Sequence, residues 1–229
     1  MSTTRSPATS TRPRPSSSRA VGGDGTGVYV ALLRAVNVGG RSVQKDALRD
    51  AFARAGGLDA RTFIQSGNVV FRAAPAEVDA IVAGACRRLG RVLGAEPVLM
   101  VRSAAEIARL LRLGPFARSA APAVVKRYIV FLAGPPARRP RLPVLLPKEE
   151  LDLVHVSRRE CWVVSRRKPN GWYGFPVDFV ERAVGVTATA RNWSTVTKLA
   201  AVLGVRGGRL HPSLGRLKAA PTTEPTGRA

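Results

Sequence analysis

Acidic residues are scarce in this chain. Its 229 residues hold 15 Asp and Glu against 37 Lys and Arg, a formal net charge of +22. A surface so short of carboxylates cannot neutralise its own cations. Most of these are Arg, with Lys only at Lys45, Lys126, Lys148, Lys168, Lys198 and Lys218. Guanidinium stays charged at any working pH and offers phosphate oxygens a planar fork of donors, so the balance favours a nucleic acid or another anionic partner. Coding bias toward Ala, Arg, Gly, Pro and Val yields the same excess with no ligand, so composition alone leaves both explanations open. The tails carry only part of it: residues 1–27 and 204–229 hold +3 and +4, leaving +15 on residues 28–203. Within that span 28–103 carries +5 and 104–203 carries +10, which points to the second half for an anionic partner.

Sulfur and imidazole are as sparse as acid. Cys86 and Cys161 lie far apart without CxxC spacing or a nearby His, so neither a disulfide framework nor a metal site is expected, and a cytoplasmic location fits. Cys161 in RRECWVV has cationic neighbours that would activate an exposed thiol, but its place in a strand predicts burial. His155 sits mid-strand in LDLVHVS and His211 lies in the tail. No paired carboxylates or Ser-His-Asp set can be assembled at meaningful spacing, so no catalytic residue and no cofactor is assigned. No apolar run approaches the ~18 residues of a membrane span, and the N-terminus lacks a secretory h-region, so no membrane partner is expected. The opening MSTTRSPATSTRPRPSSSRA shares its composition with transit peptides and reads as a disordered basic extension.

What is present is an α+β pattern. A continuous apolar strand, Val28 to Leu33, is broken by NVGGRS, and VQKDALRDAFARA (43–55) follows at helical period up to the Gly56-Gly57 stop. TFIQSGNVVF reads as a hairpin, with strands Arg61–Gln65 and Asn68–Arg72 joined at Ser66-Gly67. A helix starting at Pro75 and a strand, EPVLMVRS, complete a β-α-β-β-α-β order over 28–102, the split βαβ pattern of ferredoxin-like domains. A linking helix and loop occupies 103–123, its Ser103 and Glu106 spaced as a capping box. A less regular unit follows over 124–203: strand VKRYIVFLAG, a segment PPARRPRLPVLLP too Pro-rich for a full helix, hairpin LDLVHVS/ECWVVSR, helix from Pro176, strand TATARN and helix WSTVTKLAAVLG. The expectation is two ferredoxin-like subdomains related as pseudo-repeats, between a disordered N-terminal tail (1–27) and a flexible C-terminal tail (204–229).

The blocks VALLRAVNVGGRS, TFIQSGNVVFR, PVLMVRS, VFLAGPP and ATARNWSTVTKLAAVL resemble, in order and spacing, the bacterial family named domain of unknown function 1697. The resemblance spans about residues 28–203 and implies a cytoplasmic two-subdomain α+β protein with no established activity. One departure stands out. Relatives tend to carry a Ser-Lys pair opening the helix after the PNG step, where this chain has Phe175-Pro176; any anion-binding role of that pair would pass by position to Lys168 or Arg167.

Three polar clusters are the candidate ligand-binding residues. In RAVNVGGRS, Arg34, Asn37, Gly39, Gly40 and Arg41 form a Gly-containing loop before a helix, where backbone N–H groups approach phosphate; a plain βα turn needs the same glycines. In IQSGN, Gln65, Ser66 and Asn68 form a turn whose two amides either converge on a ligand or satisfy the turn itself. In ARNWSTVTKL, Arg191, Asn192, Trp193 and Lys198 gather at a helix start as an anion rim; alternatively Asn192 caps the helix, Trp193 anchors the core and Arg191 pairs with Asp178 or Glu181. Three functional readings follow: a basic module for nucleic acid or another phosphate-bearing ligand, an enzyme acting on a small anionic metabolite between the subdomains, or an interaction domain without a ligand.

Overall fold

The structure is a computed structural model and describes residues 25–34, 43–64, 67–114, 116 and 125–210. It is a mixed α+β protein with two large antiparallel sheets, a two-stranded ribbon and five α-helices among the described residues. The first sheet holds β1 (Gly27–Leu33), β2 (Leu58–Thr62), β3 (Asn68–Ala73) and β4 (Leu99–Ser103) in the order β2-β3-β1-β4. Alternation along its strands divides it into two apolar faces. Ala31, Leu33, Val69 and Phe71 face α1 (Lys45–Ala53) and α2 (Val78–Leu93), while Val30, Leu32, Val70 and Met100 face inward.

The second sheet is five-stranded: β5 (Val125–Leu132), β6 (Val144–Leu146), β7 (Leu151–Val156), β8 (Glu160–Arg166) and β9 (Ala188–Asn192), ordered β6-β7-β8-β5-β9. Where the first unit places α1 between its first two strands, this one has the proline-rich 133–143, which forms no helix and leads into the edge strand β6. Pro135, Pro136, Pro140 and Pro143 remove the N–H groups a helix there would need. Helix α4 (Val177–Val184) covers the outer face with Phe179, Val180 and Val184.

Helices α3 (Ala104–Leu113) and α5 (Trp193–Val202) pack against each other and share one core with the inner faces of both sheets, built from Ile107, Leu110, Ile129, Phe131, Trp162, Val196 and Leu199. Each helix follows the last strand of its unit directly, and each start is capped. Ser103 accepts from the Glu106 N–H while the Glu106 carboxylate accepts from the Ser103 N–H, the capping box expected from the spacing. Asn192 Oδ1 accepts from the Ser194 N–H at 3.0 Å.

Several boundaries differ from the sequence expectation. Strand β2 runs Leu58–Thr62 and does not start at Arg61: Thr62 pairs Val69, the Phe63 N–H reaches the Asn68 carbonyl at 2.9 Å, and Ile64 lies outside the ladder, while Gln65 is outside the described residues. The turn is therefore longer than a two-residue connection, and Ile64 sits at φ +57, a left-handed conformation costly for a β-branched side chain. Helix α2 begins at Val78, after a turn over 75–77 closed by the Glu77 N–H on the Ala74 carbonyl. Past Gly204, where the tail was expected to start, β10 (Val205–Arg206) and β11 (Arg209–Leu210) form a ribbon against α3, with Val205 buried.

Candidate functional site

Asn68 and Arg191 come together, and what they meet is mostly each other and the ends of β1 and β3. Arg191 lies on β9 opposite Ile129, so its side chain points to the inner face and is only 7% exposed. Its Nε donates to Asn68 Oδ1 at 2.6 Å, Nη1 to Thr189 Oγ1 and the Ala190 carbonyl, both at 2.8 Å, and Nη2 to the Leu33 and Gly67 carbonyls at 3.0 and 3.3 Å. A guanidinium has five N–H donors. All are used within the protein, so none is left for an external anion. No carboxylate lies among these partners, and burial without one pulls the Arg191 pKa down to about 10, still protonated at neutral pH.

A second buried arginine has the same surroundings at the opposite junction. Arg102, on β4, is 1% exposed. Its Nε donates to Glu160 Oε1 at 2.7 Å, Nη1 to the Val101 carbonyl at 2.8 Å, and Nη2 to the Leu132 and Arg159 carbonyls at 3.0 and 2.6 Å. Four of the bonds correspond between the two arginines. Each arginine is the next-to-last residue of its unit's final strand, ahead of a helix cap, and each crosses to the other unit. There it takes the carbonyl ending the first strand (Leu33, Leu132), a carbonyl in the hairpin turn (Gly67, Arg159) and the side chain opening the second strand of that hairpin (Asn68, Glu160). In both units the first two of those residues are already joined, by Leu33 N–H to Gly67 O and Leu132 N–H to Arg159 O, each 2.8 Å. Two chemical differences remain: the acceptor at Nε is an amide beside Arg191 and a carboxylate beside Arg102, and Nη1 of Arg191 has a second acceptor in Thr189 Oγ1.

The remaining candidates scatter. Arg34 forms a bidentate pair with Glu181, Nε to Oε1 at 3.0 Å and Nη2 to Oε2 at 2.9 Å, and Glu181 Oε1 also accepts from the Ala188 N–H. Glu181 thus pairs with Arg34 and not with Arg191. Asn192 caps α5, Trp193 packs edge-on against Phe116 at 5.6 Å, and Lys198 is exposed on α5. Asn37, Gly39, Gly40, Arg41, Gln65 and Ser66 lie outside the described residues.

Cys161 is fully buried on the α4 face, and burial pushes its thiol up to about 12. The flanking cations therefore do not activate it. We expect Cys161 to resist a thiol-specific reagent at pH 8 in the folded protein and to react only as fast as denaturant unfolds the chain, read by mass spectrometry of the labelled peptides. His155 stacks on Trp162 at 3.8 Å, and burial lowers its pKa.

Sequence reasoning missed the clearest cationic site. Arg54 at the end of α1, with Arg87, Arg88 and Arg91 of α2, lines a groove of about 300 Å³ together with Ala55, Ala80 and Gly84. The described residues lining it include no carboxylate. Arg87 and Arg91 stand one helical turn apart, which was the available signal. Part of the positive charge of the second half is engaged in ion pairs: Arg159 with Glu106, Arg166 with Glu150 and Asp152, Lys168 with Glu149.

A family model described as "Protein of unknown function (DUF1697)" matches residues 27–162. Among solved structures, a conserved bacterial protein from Streptococcus pneumoniae is similar in fold, with a TM-score of 0.50 at 16% identity, over 78% of this chain and 99% of that one. No curated protein matches the sequence. Among the described residues, no helix is long and apolar enough to cross a membrane.

Proposed function

This chain belongs to the DUF1697 family of proteins of unknown function, and from its geometry we propose that it is a cytoplasmic basic module that binds nucleic acid through the α1–α2 groove. The observation that carries this reading is the cluster of Arg54, Arg87, Arg88 and Arg91 around an open groove, none of them ion-paired among the described residues. Guanidinium groups lining one groove repel one another unless anions lie between them, and a nucleic-acid backbone supplies a run of phosphates. The buried arginines support a second part of the reading, that the two units are ferredoxin-like pseudo-repeats: β7-β8-β5-β9 repeats the order β2-β3-β1-β4, and Arg102 and Arg191 repeat each other's bonds.

The test is a salt series. Binding of the full chain to labelled duplex DNA and single-stranded RNA should weaken steeply with salt. Changing Arg54, Arg87, Arg88 and Arg91 together to Gln should reduce the slope of log K against log[salt] by about 3, with the melting temperature little changed because these side chains are exposed. Wild-type affinity that is flat with salt, or a variant slope equal to the wild type, would refute the groove as the binding face.

A further inference from the structure

The segment 167–176, RKPNGWYGFP, holds two large aromatic side chains in water: Trp172 is 75% exposed and Phe175 64%. A slack loop would fold such groups onto the apolar surface nearby, but this one is pinned. The Lys168 N–H donates to the Trp172 carbonyl at 2.8 Å, the Gly171 N–H to the Lys168 carbonyl at 2.9 Å and the Trp172 N–H to Asn170 Oδ1 at 3.1 Å. The buried Ser165 hydroxyl donates to the Gly174 carbonyl at 3.1 Å, and Gly174 packs so closely that a Cβ there would come within 2.5 Å of the Glu149 carbonyl oxygen. Phe175 is braced edge-on by Tyr128 at 5.9 Å.

Cations border these rings. Lys126 pairs with Ser165 across β5 and β8, which puts Lys126, Ser165 and Arg167 on one side of the sheet by alternation. Lys126 Nζ sits 4.4 Å over the Tyr173 ring, and Arg167 is exposed with its Nε on the Gly171 carbonyl. Rigid aromatic faces already held in solvent, beside positive charge, match what an unpaired nucleic-acid strand presents, namely flat bases along a phosphate backbone. A duplex, whose bases are stacked inside, offers no such faces.

We propose that Trp172 and Phe175 form a stacking platform for the bases of single-stranded nucleic acid, with Lys126 and Arg167 meeting the adjoining phosphates. The choice of nucleic acid as partner rests on the reading above, but the platform lies at the end of the second sheet, away from the α1–α2 groove.

The experiment uses the full chain, a labelled single strand of about 12 nucleotides and the duplex of the same sequence, with Trp172→Ala, Trp172→Phe, Phe175→Ala and the fourfold arginine variant in parallel. Trp172→Ala is expected to weaken single-strand binding about tenfold and leave duplex binding unchanged. Trp172→Phe recovers most of the loss because the ring is retained, and the single strand quenches tryptophan emission in the wild type but not in Trp172→Phe. Equal losses on both nucleic acids, or none, overturn the platform. So does emission that shifts to the blue with phosphatidylserine vesicles while the oligonucleotide leaves it unchanged, which identifies a membrane-surface contact, or wild-type self-association that Trp172→Ala abolishes. Failure of the wild type to bind either nucleic acid overturns both readings. Binding lost in the arginine variant and kept in Trp172→Ala overturns the platform alone, and the reverse overturns the groove alone.

Discussion

Replacing Arg191 with alanine is expected to lower the free energy of unfolding by about 3–5 kcal/mol, measured by urea denaturation at neutral pH. The side chain is buried, and its removal takes a donor from the Asn68 amide oxygen and from the Ala190, Leu33 and Gly67 carbonyls. Water does not readily replace a lost donor in a site so enclosed, and each acceptor left bare costs about 1–3 kcal/mol. Arg191→Lys recovers only part, because an ammonium has three donors where the guanidinium uses five, and it cannot reach acceptors spread around a plane. The sign of the pH dependence follows from the lowered pKa. The unfolded chain holds this proton more tightly than the folded one, so the cost of keeping the charge inside persists throughout the range below about pH 10 and is relieved only above it. A loss of anion binding in an Arg191 variant would therefore report on folding before it reported on a ligand.

The second large effect is at Arg102. Arg102→Ala is expected to cost about 3–5 kcal/mol, since it leaves the Glu160 carboxylate without its cation and takes a donor from the Leu132 and Arg159 carbonyls. The charge separates this site from the first. Adding Glu160→Gln to Arg102→Ala should restore about 1–2 kcal/mol by removing the uncompensated anion, whereas Asn68, already neutral, offers no equivalent rescue beside Arg191. A double-mutant cycle on Arg102 and Glu160, run by the same denaturation, measures the coupling; a cycle with no interaction energy would contradict the pair as described.

The parts of the fold legible in the sequence are those governed by neighbours a few residues away. Alternation identified the strands, the 3.6-residue period identified the helices, and the Ser103/Glu106 spacing identified a capping box because both partners sit on the same turn. The end of β2 was misplaced because Phe63, Ile64 and Gln65 look like strand residues by type, while the ladder is decided by Asn68 across the turn. The roles of Arg34, Arg102 and Arg191 were not legible. A buried guanidinium is indistinguishable in sequence from an exposed one, and these three find their partners more than fifty residues away in the chain. Asn68 and Arg191 were singled out together, and they do meet; what the pattern could not say is that their contact joins the two sheets. The Arg54, Arg87, Arg88 and Arg91 groove needed the packing of α1 on α2 before its members became neighbours.

The exchange of arginines between the units has a consequence during synthesis. Leu33 and Gly67 belong to the segment that leaves the ribosome first, yet the guanidinium that completes their hydrogen bonding is supplied by β9, near the end of the described chain. Arg102, though made early, must wait for Leu132, Arg159 and Glu160. Neither half can complete its hydrogen bonding ahead of the other, so the nascent polypeptide stays unfinished until β9 has emerged, and the completed molecule is expected to melt in a single step.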